Sequence, residues 1–562
     1  MNTLKRATIS ERQYVLLLGG ILLATFLIYL PSLHNAFTNW DDDKYVLESE
    51  LIRQFSFKTL FQSFSVGLYT PITNLSYAID YQFFGNNPWG FHFSALCWHL
   101  VCTLLAIVFI KKYSNNNIVA LLVGLLFALH PSHVEAVAWI SSRKDLLYCA
   151  FSLLSLIFYL DFSSSRKRGF YLASCLALLL ACLSKPTALG LPLAFIALDY
   201  VKGKKIHFLL VEKIPFFLIS AAFFAIGLYG LKTLNIPIHP EKGYNLWQIL
   251  CMASYGFVFY FYKALFPIRL CNFHVYPFPN KDIPTEYLLA PFMLALLVFL
   301  FVKYRKKIPG LDFGLVMFFV LLLPTYRIYP AGYPIVAERY FYLSSIGLFF
   351  IAASFVHQHL YSKSGVLNPA TVVVGTLLAV MMCFATFARS KVWKNSLSLW
   401  NNAIKTYPTL YYAYEQRGKY FLSIGDKQLA IADFQKSLSL QPHNPQLINT
   451  TSSLLYEQGD TLTAKKYLDQ TLKEDASNYV FFYNRANILK AEGKYAEAMK
   501  DYNQCLKLNP NLAQGYNNRG VAKIFTGDTV GAFQDFSKAS TLNPNDKMFL
   551  DNLLRAKKLL GE

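Results

Sequence analysis

The stretch Val15-Leu-Leu-Leu-Gly-Gly-Ile-Leu-Leu-Ala-Thr-Phe-Leu-Ile-Tyr-Leu30 is closed by Pro31. Past Phe37 it is followed by Thr-Asn-Trp40-Asp41-Asp42-Asp43-Lys44. The apolar run is uncharged and long enough to begin a membrane crossing, and the proline ends it. Three consecutive aspartates then stand where the chain leaves the apolar phase. Clustered carboxylates beside a membrane are costly unless they are solvated, paired or bound to a cation. The plain reading is a polar loop with a helix-capping aspartate. The sharper reading is an acidic active site at the membrane surface.

Working outward, the same apolar texture recurs. The chain has 562 residues, 54% hydrophobic and only 15% charged, with a formal net charge of +20. Apolar stretches fall near 15–30, 91–110, 118–130, 146–160, 170–183, 187–199, 214–231, 248–266, 287–302, 313–323, 341–356 and 372–387. Basic clusters separate them: Lys111-Lys112, Arg166-Lys167-Arg168, Lys202/Lys204/Lys205 and Lys303/Arg305/Lys306/Lys307. The positive charge therefore belongs to short loops, and the positive-inside rule puts those loops in the cytoplasm. It carries no nucleic-acid signal. The Asp41–Asp43 loop and the segment starting at His130 then face the other side. Counting spans forward from the N-terminus and backward from 303–307 gives opposite sides for the C-terminus. One stretch is therefore expected not to cross fully: 248–266, or one of the pair split at Lys185-Pro186. Lys5, Arg6 and Arg12 precede the first run, but no small-residue cleavage site follows it, so it reads as an uncleaved span. The nine cysteines lie mostly inside apolar stretches without a Cys-x-x-Cys pair, so they read as core residues.

The character changes after residue 400. Residues 1–400 carry 33 Lys and Arg against 17 Asp and Glu, whereas 401–562 carry 20 against 16. From 411 to 546 the sequence repeats every 34 residues: Pro408, Pro442, Ala476, Pro510 and Pro544; Gly425, Gly459, Gly493 and Gly527; Ala430, Ala464, Ala498 and Ala532. This is the tetratricopeptide pattern, in which small residues let paired helices pack closely and proline starts the next turn. Lys547–Leu560, with Leu550, Leu553, Leu554 and Leu559, suits a capping helix. The expected domains are a membrane domain over 1–390 with its first extracytoplasmic loop at 31–90, a linker at 391–410, and four repeats plus cap over 411–562.

Six motifs follow in order. They are Tyr69-Thr-Pro71-Ile-Thr-Asn-Leu-Ser after the aspartates, Gly90-Phe-His92 with His99, and His130-Pro-Ser-His133-Val-Glu135-Ala-Val with Arg143-Lys144-Asp145. Leu183-Ser-Lys185, Phe266-Pro-Ile-Arg-Leu and Glu338-Arg339-Tyr-Phe-Tyr-Leu complete the set. In this order, with the repeats behind them, the chain resembles the transmembrane-and-tetratricopeptide-repeat O-mannosyltransferases and their bacterial relatives. The sequence departs from that family at two points: Thr70 where an arginine is usual, and Pro186 where a glutamate is usual. The resemblance implies an all-α, GT-C-like polytopic bundle of about 11–13 spans followed by a tetratricopeptide solenoid. It also implies transfer of a mannose-like sugar from a polyprenyl-phosphate lipid to a hydroxyl of a protein acceptor on the extracytoplasmic side. The membrane is expected to be a bacterial inner membrane, or the endoplasmic reticulum in a eukaryote.

The residue chemistry is compatible with that expectation. Transfer to a hydroxyl needs a base, and the expected base is Asp41 or Asp42, with Asp43 third. A phosphate leaving group needs cations, for which Arg143, Lys185 and Arg339 are the candidates. Glu135, His130, His133 and His92 are candidates for orienting the acceptor. This reading names no cofactor beyond an optional divalent cation. A divalent cation is allowed for, with Asp42 and Glu135 as its ligands, although His-x-x-His-x-Glu is no zinc signature. The repeats are expected to bind the acceptor protein on the same side as the aspartates. Two alternatives stay open: a lipid-linked oligosaccharide ligase or polymerase, and a non-catalytic membrane scaffold presenting its repeats.

Overall fold

The computed structural model describes residues 9–203, 210–233, 244–274, 283–325, 334–360 and 368–561. Among these there is no strand, only an isolated bridge between Ser65 and Leu68. The sequence readings at Lys5, Arg6, Lys204 and Lys205 lie outside the described residues. Two compact units form, Met1–Thr406 and Tyr407–Glu562.

The first unit is an all-helical, multi-pass membrane bundle. Six of its described helices are long and apolar enough to cross a bilayer, from Glu11–His34 to Pro369–Val392. A seventh crossing is counted if the bent pair Asn117–Leu129 and Pro131–Ala138 is one span, and four shorter apolar helices accompany them. The expected 11–13 spans are met only if the bent pair and all four short helices cross. Leu246–Leu265, suspected from sequence, is not among the helices that pass.

Local chemistry explains the breaks that matter. Pro131 removes a helix hydrogen bond, and the chain turns by 58° there. The His130 ring caps the new start by accepting from Ser132 N at 3.3 Å. Pro186 likewise ends Arg168–Ser184 and leaves Lys185 in an extended conformation before the short helix Pro186–Gly190. Elsewhere the bundle closes tightly. A Cβ built on Gly347 would lie 2.3 Å from the Gly314 carbonyl oxygen, so only glycine lets Leu311–Leu322 and Phe341–Leu360 approach so closely.

The region after the first helix is an ordered cap. Asn35 donates to the Ser390 carbonyl, Ala36 N to Lys394 O at 2.8 Å, and Asn39 N to Ser396 Oγ at 2.9 Å. The indoles of Trp40, Trp139, Trp393 and Trp400 pack as successive neighbours beneath it. Residues 391–410, read as a linker, thus contain the helix Ser396–Thr406, which is fastened to the first loop.

The second unit is a tetratricopeptide solenoid. Its helix pairs start with Tyr411–Ser423 and Lys427–Leu440 and end with Ala513–Phe525 and Thr529–Leu542, capped by Lys547–Leu559. The four repeat alanines are fully buried between helices, as the pattern requires. The four repeat glycines have a different reason. Each has φ between 76° and 86° with open space around it, so they are left-handed turn residues and not packing contacts. A feature absent from the repeat reading ties the helices further. Arg417, Arg485 and Arg519 each grip an aspartate sixteen residues on, Asp433, Asp501 and Asp535, through two nitrogens at 2.7–2.8 Å. Thr451 and Tyr467 occupy the same positions in the second repeat, which lacks the clamp.

Candidate functional site

Four separated segments meet at one end of the bundle: the first loop, the turn around Glu135–Asp145, the break at Lys185 and the short helix Glu338–Tyr340.

The three aspartates have three different environments. Asp42 is buried, and its carboxylate accepts four hydrogen bonds: Thr38 N at 2.9 Å, Thr38 Oγ1 at 2.8 Å, Ser141 N at 2.9 Å and Ser141 Oγ at 2.5 Å. Two donors on each oxygen use every lone-pair site. Burial pushes this carboxyl up to about 6 even against those donors. Asp41 is the accessible one, its side chain 37% exposed and 3.8 Å from Lys44 Nζ. Its φ of 67° is uncommon for a residue other than glycine and turns the chain sharply between Trp40 and Asp42. Asp43 opens a π-helical turn, and its Oδ1 is buried without a hydrogen-bond partner among the described residues.

Opposite the loop lies a set of cations. Lys144 Nζ donates to the Ser141 carbonyl at 2.6 Å and sits over the rings of Tyr45 at 4.4 Å and Trp139 at 5.2 Å. Asp145, Asp41, Arg339 and Lys185 are all within its electrostatic reach. Lys185 pairs with Asp145 at 2.5 Å and faces the Tyr340 ring at 5.2 Å. Arg339 is bonded twice to Glu135, side chain to side chain and from its backbone N at 3.1 Å, and lies over Trp139 and Tyr340. The next pair out is Arg389 with Glu338 at 3.3 Å.

Among the sequence candidates, Asp41, Asp42, Asp43, Glu135, Lys185 and Arg339 come together. Arg143 does not join them. It is fully buried and spent on Asp80 at 2.9 Å, Ser76 Oγ, Ser94 Oγ and the Phe91 carbonyl. One residue on, Lys144 points to the site, because successive helical residues differ in direction by about 100°. The histidines also stand apart. His133 bonds the Phe127 carbonyl at 2.8 Å and packs against Phe127, Phe341 and Tyr342. His130 bonds the Ala264 carbonyl, and His92 is buried with neither ring nitrogen engaged by a described side chain. The pair named for a cation does not fit one. Asp42 has no unused lone pair, and Glu135 is occupied by a guanidinium that would repel a metal ion. Among the described residues no group of three His, Cys, Asp or Glu could hold one.

Sequence reasoning passed over Tyr45, Trp139, Lys144, Asp145 and Tyr340. Only Lys144-Asp145 carried a signal, as neighbours of Arg143 in a quoted motif. The two family departures fall on abutting segments, because Thr73 Oγ1 donates to the Ser184 carbonyl at 2.9 Å. Thr70 Oγ1 and Thr187 Oγ1 are both buried there without partners among the described residues. Loss of an arginine on one side and a glutamate on the other leaves no unpaired charge.

Tetratricopeptide-repeat family models match residues 411–444 and 479–512. Over about 70% of the chain its homologues are transmembrane-and-tetratricopeptide-repeat O-mannosyltransferases, the family its motifs resemble. The Caenorhabditis elegans protein O-mannosyl-transferase F38B6.6 is 26% identical over 403 residues, 69% of this chain and 56% of its own length. Human protein O-mannosyl-transferase TMTC1 is 24% identical over 71% of this chain and 50% of its own length. Drosophila melanogaster Tmtc1 is 31% identical over 194 residues, 22% of its length. The chain thus spans about half the length of the two longer matches. Among solved structures, YrrB, described as a tetratricopeptide protein with an unusual peptide-binding site, covers 34% of this chain at 18% identity and a TM-score of 0.27.

Proposed function

We propose that the chain is a GT-C-type membrane glycosyltransferase. It moves a mannose-like sugar from a polyprenyl-phosphate lipid to a hydroxyl of a protein acceptor on the extracytoplasmic side. The observation that carries the reading is the convergence of Asp41 with Lys144, Lys185–Asp145 and Arg339–Glu135, from four segments, in a chain whose homologues bear the name protein O-mannosyl-transferase.

In this reading Asp41 takes the acceptor proton as the acceptor oxygen bonds to the anomeric carbon. The bond from that carbon to the phosphate oxygen breaks, and the phosphate leaves with the electron pair. Asp41 suits the base because it is accessible, whereas Asp42 has every lone pair filled and serves to position the loop. Arg339, Lys144 and Lys185 supply positive charge where the phosphate oxygens gain negative charge. Glu135 holds Arg339 in place by two hydrogen bonds. The membrane part up to about residue 390 carries the chemistry, and the solenoid recruits the acceptor protein.

The test is transfer in vitro by the purified chain, offered a panel of polyprenyl-phosphate sugars and a hydroxyl-bearing protein. Transfer from one of them, lost in Asp41→Asn, supports the reading. No transfer from any donor would remove it.

A further inference from the structure

Both halves of the candidate site are tied to one late segment of the chain. On the base side, the backbone N of Ala36 bonds the Lys394 carbonyl at 2.8 Å and that of Asn39 bonds Ser396 Oγ at 2.9 Å. Trp400 Nε1 adds a bond to Asn39 Oδ1 at 2.7 Å, two residues before Asp41. On the cation side, Arg389 uses both terminal nitrogens. Nη2 donates to Glu338 Oε2 at 3.3 Å, and Nη1 donates to Asn402 Oδ1 at 2.8 Å. Glu338 opens the short helix that carries Arg339, and Asn402 lies on the helix Ser396–Thr406.

Glu338 has no task in the chemistry described so far. It is buried, precedes Arg339, and lies within electrostatic reach of Glu135. Two further cations are in its range, Arg389 and Lys263. Lys263 is committed elsewhere, donating to the Ile268 carbonyl at 2.5 Å and the Arg269 carbonyl at 3.3 Å. Arg339 is held by Glu135. Among the described residues, Arg389 is thus the cation that bonds Glu338. An uncompensated carboxylate here would lower the positive potential at Arg339, where a phosphate has to gain negative charge.

We propose that Arg389 is a positioning residue for sugar transfer: it neutralises Glu338 and, through Asn402, ties the helix carrying Arg339 to the helix that holds the Asp41 loop. This rests on the reading of Asp41 as base and Arg339 as phosphate cation. Arg389 bonds neither of them and acts through Glu338 and Asn402. Its two functions separate in kinetics. Cancelling the charge of Glu338 governs donor affinity, whereas the tie through Asn402 governs the spacing of base and phosphate, and so the rate of the bound complex.

The experiment measures steady-state transfer from mannosyl phosphoryl farnesol to a threonine-bearing peptide by the purified full chain, with thermal melts alongside. The variants are Arg389→Gln, the double variant Arg389→Gln with Glu338→Gln, and Asn402→Ala. Arg389→Gln should raise the donor KM at least about tenfold and leave the acceptor KM unchanged. The double variant, with neither charge, should return the donor KM to within about threefold of the parent. Asn402→Ala keeps the ion pair, so its donor KM should stay near the parent value while kcat falls at least about fivefold. A parent-like donor KM in Arg389→Gln would overturn the proposal, as would a parent-like kcat in Asn402→Ala. If Arg389→Gln does not fold, the double variant decides, because it buries no charge: a donor KM at least about tenfold above the parent's overturns the proposal. A parent that transfers nothing removes the enzyme reading and this proposal with it. A parent that transfers, with donor KM raised by Arg339→Lys and not by Arg389→Gln, keeps the enzyme reading and removes this proposal alone.

Discussion

Asp42 accepts from both the backbone N and the hydroxyl of Ser141, a residue 99 positions away. That junction locks the first loop to the turn that carries Lys144, whose ammonium in turn caps the Ser141 carbonyl. The middle aspartate of the run is thus a fastener, and the base proposed above is its accessible neighbour, Asp41.

Asp42→Asn should therefore behave as a folding variant. The amide presents hydrogens to groups that already donate, leaving buried donors unmatched at about 1–3 kcal/mol each. A lowered melting temperature with reduced transfer is expected. Asp41→Asn should melt normally and still lose about a hundredfold in transfer. Thermal melts of both variants, set beside their rates, decide whether the roles divide this way.

Arg339→Ala strips Glu135 of its partner in a fully buried position and should cost about 3–5 kcal/mol. Combining it with Glu135→Gln should recover much of that stability and none of the activity. Arg339→Lys keeps the charge but loses the planar fork, so donor affinity should fall. A double-mutant cycle read in both stability and donor KM would expose additive behaviour, which the pairing forbids.

Arg143 and Asp80 form a buried pair that engages none of the residues proposed for the site. Arg143→Ala should be strongly destabilising, by about 3–5 kcal/mol. Replacing both members together by Met and Leu should restore much of the folding and leave the donor KM near the parent value. A large rise in donor KM in a well-folded double variant would return Arg143 to the phosphate site.

Truncation should be sensitive to where the cut falls. Ending the chain after Thr406 removes the solenoid unit but keeps Trp400, whose indole donates to Asn39 beside the aspartates at 2.7 Å. Transfer to a short peptide should survive that cut, and transfer to a large protein should fall. Ending after Asn395 removes the support and should abolish both. Equal activity of the two truncations on the short peptide would show that the Ser396–Thr406 helix does not hold the loop.

The parts legible in the sequence were those with a period or a long uniform run. Val15–Leu30 and its successors announced a helical bundle, and alanine and glycine every 34 residues announced the solenoid. The reason for each repeat glycine was not legible, because composition cannot tell a packing contact from a left-handed turn. Of the candidate site, part of the cluster was legible as charge. Asp41, Glu135, Lys185 and Arg339 stood out as charges at membrane edges, where charge is expensive. Which member of each neighbouring pair faces the site was hidden, since Asp41 against Asp42 and Arg143 against Lys144 differ only in direction. That direction is fixed by distant partners, Ser141 for one pair and Asp80 for the other.

The most direct test of the account is the transfer rate of Asp41→Asn, purified and shown to melt like the parent, with a polyprenyl-phosphate sugar and a protein acceptor. The account predicts a loss of about a hundredfold with donor binding retained. A rate equal to that of the parent, in this variant and again in Asp41→Asn combined with Asp43→Asn, would contradict it.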